Sequence, residues 1–340
     1  MQNKRNLSKV MFGFIALAVC LIAGLLTAPV RTEAATKAKV VLEFTDGTQE
    51  TWQTGDDRIA LNGRTLAYIY FGSYPQTEVA KVTKKIKNAS YDENGIAKVS
   101  SKKYRRLSTA DATYICKWSD EGFDWKSKYN YETSEYTYGK EYAYFKYEPV
   151  KWRVLSNSNG VAFLLSEYAL DNQMYNADSE AVTWAECTLR TWLNNDFLTL
   201  AFNAKERKLI KTTTLTNEDN PYYGIAGGAS TKDKIYLLSL SDSMNEKYGF
   251  IAETYDDSGR NCSATDFAKA MGGYIFSNKK YATAEGLLSA CWWLRSPGNY
   301  SDCASYVSGG GCIYDYGKKV SYKRNAIRPA LRLNLSSVIE

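Results

Sequence analysis

The apolar and polar positions fall into blocks with different periods. Val40-Val41-Leu42-Glu43-Phe44 and residues 48–52 flank Asp46-Gly47, a dipeptide suited to a tight turn, so residues 35–64 open with a β-hairpin. A second extended stretch, 66–71, ends at Gly72-Ser73-Tyr74-Pro75. Residues 148–155 and 161–165 read as two strands joined by Asn157-Ser158-Asn159-Gly160; the second is continuously apolar and is expected to be buried on both faces. Thr183 and Glu186 then have capping-box spacing, and Leu189, Trp192, Leu193 and Phe197 recur at helical intervals. Asn203 and Glu206 repeat the signal for a second short helix through Ile210. A polar, glycine-rich loop from Asn217 to Gly228 leads to a strand at 235–240, and a loop at 256–260 precedes a helix at 264–271. The C-terminal part returns to strands at 292–295, 304–307 and 312–316, with Ser308-Gly309-Gly310-Gly311 as a turn. In one final strand Ile327, Leu331, Leu333 and Leu335 share a face, while Arg328, Arg332 and Asn334 share the other. No repeat period emerges. The pattern predicts an α+β fold: a single domain with short antiparallel sheets, two early helices and long loops.

The first 34 residues belong to a different class. Lys4, Arg5 and Lys9 precede an apolar run over 10–30, followed by Thr32-Glu33-Ala34. A basic start, apolar middle and small residues at the cleavage positions predict a signal peptide over 1–34, and hence a secreted or cell-surface protein with no membrane attachment after cleavage. The run also has the length of an uncleaved anchor. Cleavage removes Lys4, Arg5, Lys9, Arg31 and Glu33, taking the formal charge from +6 to +3. With no concentrated basic stripe, nucleic acid is not expected as a partner. Six cysteines remain, Cys116, Cys187, Cys262, Cys291, Cys303 and Cys312, all disulfide candidates in an exported chain. None forms a Cys-x-x-Cys pair, so neither a metal site nor a thioredoxin-like site is expected.

The chain contains no histidine, which excludes Ser-His-Asp and Cys-His nucleophile systems and histidine-ligated metals. It is also rich in tyrosine, with 27. From Cys116 to Tyr147 there is no Val, Ile, Leu or Met, while Tyr129, Tyr131, Tyr136, Tyr138, Tyr142, Tyr144 and Tyr147 accumulate. This insert, at about residues 104–147, reads either as a hairpin whose phenols pack on a neighbouring sheet or as an aromatic platform for sugar rings.

Trp292, Trp293 and Arg295 form the densest candidate group. Alternation sends Trp292 and Leu294 one way and Trp293 and Arg295 the other, so at least one indole is expected in the core. Arg295 reads either as an internal strut bonded to loop carbonyls or, stacked beside an exposed indole, as a ligand-binding group. Trp293, Arg295, Tyr300 and Tyr314 are the candidate ligand-binding residues. Asp256-Asp257 and Asn217-Glu218-Asp219 are read as solvated loop acids, since neither has the spacing of a calcium loop. No catalytic residue, metal or cofactor is assigned. With four residues in the last turn, Val307 rather than Cys303 would face Cys312.

Several ordered motifs carry a resemblance: 143–155, Val182-Thr183-Trp184 to Asn194, Asp219-Asn220-Pro221-Tyr222-Tyr223-Gly224, 232–240, 292–298 and 327–335. Over residues 65–336 they resemble a family of bacterial surface proteins known as Domain of Unknown Function 6273. The resemblance implies an exported protein of a Gram-positive bacterium and names no reaction. The order of its strands is also similar to C-type-lectin-like and sulfatase-modifying-factor-like folds, in which first and last strands pair and long loops carry the ligand. Glu148-Pro149-Val150 and Trp192-Leu193-Asn194-Asn195-Asp196 depart from the calcium triplets of such lectins, which argues against calcium-dependent sugar binding. The expectation is an exported, non-catalytic binding module for a glycan or cell-surface polymer. A carboxylate-based secreted hydrolase and a structural or adhesive surface domain are the alternatives.

Overall fold

The central hairpin turns on two residues. Asn159 and Gly160 have φ of 52° and 69°, so the Tyr142–Ser158 and Val161–Ser166 strands pair with Ser158 opposite Val161. Two successive positive φ values match the twist of the strands they join, and Asn-Gly adopts them with little strain. The structure is a computed structural model that describes residues 39–43, 49–61, 64–108, 128–130, 135–137, 142–276, 279–283 and 286–335. The signal peptide expected over 1–34, Cys116, Tyr131 and Tyr138 lie outside the described residues.

Tyr142–Ser158 runs through a ten-stranded antiparallel sheet. On one side follow Arg64–Glu78, Gln49–Leu61 and Lys39–Glu43; on the other, Val161–Ser166 and Ala330–Asn334. Ile210–Lys211 and Ile235–Tyr236 both pair with Ala330–Asn334. Lys102–Ser108 pairs with the first part of Tyr142–Ser158 and carries Ile96–Val99 on its outer edge. The N-terminal hairpin is present, with Val40 opposite Trp52. The strand expected at 66–71 continues through Gly72 to Glu78, with register shifts that absorb the Gly72–Pro75 segment. A five-stranded sheet holds Asp171–Asn172, Ala326–Ile327, Trp292–Pro297, Cys303–Val307 and Ile313–Lys319 in that order. The described residues all fall in one compact α+β unit, Lys37–Glu340.

Several local expectations are corrected. The single final strand is two strands in two sheets, since Ile327 pairs with Asp171 while Ala330 pairs with Leu165. Between them Arg328 is fully buried, donating from Nε to the Ser166 carbonyl (2.9 Å) and from Nη1 to the Arg260 carbonyl (3.2 Å). Thr183 and Glu186 close a turn, but the helix starts later as Thr188–Trp192, with the Cys187 thiol accepting from the Arg190 N–H. It continues as a π-helical turn, Leu193–Phe197, and then as Leu198–Ala201. The Asn194 amide donates to the carbonyls of Arg190 and Ile235 and accepts from the Lys234 N–H, and a side chain inserted in the ladder is a recognised cause of such a widening. The Asn203–Glu206 capping box forms as expected on Ala204–Leu209. The strand expected at 235–240 is only Ile235–Tyr236, because the Ser239–Asp242 capping box starts the Leu240–Ser243 helix. In the insert, Tyr129 stands opposite Tyr136 on paired strands, and Tyr144 is buried with its ring 5.9 Å from Tyr91.

In the C-terminal hairpin Val307 faces Ile313, one position beyond the expected Cys312, because the Ser308 N–H closes the turn on the Cys312 carbonyl. Cys303 lies opposite Lys319 at the far end, too distant along the strands for a Cys303–Cys312 bridge. Cys187, Cys262, Cys303 and Cys312 are free thiols, and Cys291 is buried. Burial pushes the Cys187 thiol up to about 12, which keeps it protonated and unreactive at neutral pH.

Candidate functional site

The four ligand-binding candidates divide between interior and surface. Trp292–Pro297 is buried along its whole length, so alternation selects a face but neither face is wet. The Trp293 indole is 0% exposed, donates from Nε1 to the Gln173 carbonyl (3.1 Å) and packs edge-on against Tyr175, Tyr306 and Tyr322. Arg295 is 8% exposed; its Nη1 donates to the Leu237 carbonyl (2.9 Å) and the Asp242 carboxylate (2.6 Å). Both therefore hold the interior together, and the Trp-Arg pair presents no surface on which a ligand could stack. Loops are fixed in the same way around the fully buried Arg260, which donates to the carbonyls of Gly311, Ser243, Ile251, Glu253 and Tyr255. Asp257, expected to be solvated, is buried 3.6 Å from that guanidinium and accepts from the N–H groups of Gly259 and Ile251.

Tyr300 and Tyr314 lie on the surface of the C-terminal hairpin. Tyr306 and Tyr314 are opposite each other in register, and their rings stack at 4.9 Å and 8°. Tyr316, two residues along the same strand, meets Tyr314 edge-on at 5.3 Å and is 43% exposed. Lys318 extends the face, with its ammonium over the rings of Tyr306 and Tyr322. Tyr300, 63% exposed, precedes the Cys303–Val307 strand, beside the Asp302–Lys319 ion pair. The loop bearing the exposed Tyr222 and Tyr223 is stapled to this hairpin by Asn220, which is fully buried and donates to the carbonyls of Pro297, Gly298 and Asp315. The result is a tyrosine face on an edge strand, formed by Tyr314 and Tyr316 over the buried Tyr306 ring.

A second feature is a cavity of about 70 Å³ lined by Tyr74, Arg105, Tyr147, Asp171, Trp192 and Phe267, among others. Sequence reasoning missed it, although an acid directly after the stretch 161–170, apolar except at Ser166 and Glu167, was a usable signal. Strand register brings Tyr147 opposite Pro75, and Arg105 opposite Phe145. The widened helical turn separates Trp192 from Leu200, which also lines the cavity. Asp171 is 2% exposed and accepts from the Tyr74 hydroxyl (2.5 Å), the Asn172 N–H (2.6 Å) and, at 3.4 Å, the Gln173 amide. Burial outweighs these donors and nearby Arg105, raising its carboxyl from 3.8 to about 6. The unfolded chain ionises near 3.8, so between pH 4 and 6 the folded state holds the extra proton and stability falls as pH rises. The loss is about 3 kcal/mol, complete near pH 7. Urea unfolding from pH 4 to 7 is expected to show this slope in the wild type and not in Asp171→Asn; parallel curves would contradict it.

An open groove of about 620 Å³ is bordered by Lys84, Lys85 and Lys98. Nine basic residues stand against Asp92 and Glu93 between Lys81 and Arg106, which corrects the reading of a chain without a concentrated basic stretch. Among the described residues, no group of three or more His, Cys, Asp or Glu converges as metal ligands.

No curated protein and no solved structure matches the chain. The profile of a domain of unknown function, DUF6273, matches residues 159–335, a shorter span than the 65–336 expected from the motifs. It begins in the central turn, so both sheets draw on matched sequence, whereas Tyr74, Arg105 and Tyr147 of the cavity precede it. The match covers more than half of the sequence, and the chain belongs to the DUF6273 family.

Proposed function

We propose that the protein is an exported, non-catalytic binding module that takes a glycan or cell-surface polymer across the tyrosine face of its C-terminal hairpin. The observation that carries this reading is the surface pair Tyr314 and Tyr316, backed by the buried Tyr306 ring and flanked by Tyr300 and by the stapled Tyr222-Tyr223 loop. Tyrosine offers an apolar ring and a polar tip while losing little conformational freedom, which suits the mixed surface of a sugar. Export is supported by the charge and hydropathy pattern of residues 1–34. The antiparallel pairing of Val161–Ser166 with Ala330–Asn334, first and last strands of the matched segment, supports a C-type-lectin-like arrangement. The basic stretch 81–106 favours a polymer carrying negative charge.

The hydrolase alternative needs two acids facing across a cleft. The residues lining the aromatic cavity include one, Asp171. Binding is expected to weaken about tenfold in Tyr316→Ala, as for truncation of an aromatic anchor, with the melting temperature unchanged. Depletion assays against a panel of polysaccharides measure this. Equal retention of wild type and variant on every binding polysaccharide would remove the tyrosine face as the site.

A further inference from the structure

Building on the glycan reading, we propose that the Asp171 cavity is a separate subsite for the acetamido group of an N-acetylated sugar. Arg105 would donate to the amide carbonyl, Asp171 would accept from the amide N–H, and the methyl would lie among Trp192, Leu200, Phe267 and Met271.

Size sets the first limit. A cavity of about 70 Å³ holds roughly two water volumes, which excludes a hexose ring and admits a small substituent while the ring stays at the mouth. Hydrogen-bond demand sets the second. The Nε of Arg105 is buried without a protein acceptor, so an occupant that supplies an oxygen relieves an unmet donor. Asp171 has about four acceptor positions and receives two short hydrogen bonds and one long one, leaving room for a further donor.

Charge discriminates among occupants. A carboxylate or phosphate would answer Arg105 but place a negative charge beside Asp171, and an ammonium would answer Asp171 but place a positive charge beside Arg105. A secondary amide brings one acceptor, one donor and no net charge. Its methyl matches the apolar wall, where burial of a CH₂-sized group is favourable.

The test is calorimetric titration of the full chain at pH 7.5 with N-acetylglucosamine, glucosamine and glucose. N-acetylglucosamine is expected to bind at least tenfold more tightly than either of the others. Arg105→Gln, at a half-buried position, is expected to remove that preference without lowering the melting temperature. Equal affinity for the three sugars, or a preference that survives Arg105→Gln, would overturn the subsite. Retained binding of an unacetylated glucan without binding of N-acetylglucosamine would overturn the subsite alone, and failure of every sugar to bind would overturn the glycan reading with it.

Discussion

Replacing Arg260 with methionine is expected to lower folding stability by about 4 kcal/mol or more, the largest effect of any single substitution considered. Methionine fills much of the same volume but donates no hydrogen bond. Five backbone carbonyls, from Ser243, Ile251, Glu253, Tyr255 and Gly311, lose their donor at once, and Asp257 is left as a buried carboxylate without its cation. Ser243 ends the Leu240–Ser243 helix and the other four carbonyls lie on loops without regular pairing of their own, so the guanidinium substitutes there for a ladder of backbone hydrogen bonds. Arg260→Lys keeps the charge with three donors and is expected to fall between the two. Urea unfolding measures the series, and a methionine variant within about 1 kcal/mol of wild type would show that the loops hold without this strut.

Trp293→Ala is expected to cost about 3–5 kcal/mol, the range for emptying a large buried aromatic site. The indole is enclosed by Tyr175, Tyr306 and Tyr322 and caps the Gln173 carbonyl, so the substitution leaves both a cavity and an unpaired acceptor. Trp293→Phe retains part of the packing and is expected to lose less. Because Tyr306 backs the tyrosine face and Gln173 lines the Asp171 cavity, loss of ligand binding in Trp293→Ala would follow from loss of packing rather than from a lost contact. Thermal melting separates these cases. A variant that melts with the wild type would place the indole outside the core.

The elements that sequence revealed are those with local causes. Asn159-Gly160 specifies its turn by φ alone, and Asn203 with Glu206 caps its helix through bonds three residues apart. Alternation also placed Leu331 and Leu333 on an inner face. It could not say what covers the opposite face, and that is why Arg295 and Arg328 turned out to be buried struts: their partners lie in loops and strands far away in sequence. The aromatic cavity was hidden for the same reason. Tyr74, Arg105, Tyr147, Asp171 and Trp192 come from separate elements and meet only after the sheet and the helices have packed. The C-terminal hairpin that carries Tyr314 was legible because a short hairpin fixes its own register, even with the turn displaced by one residue.

The most direct test of the tyrosine face is a titration of ring-labelled tyrosine protein with its tightest-binding polysaccharide, followed by nuclear magnetic resonance. The expected result is perturbation of the surface rings of Tyr300, Tyr314 and Tyr316, with Tyr68 and Tyr236 in the interior unmoved. Saturable binding that leaves those three hairpin rings unperturbed would contradict it.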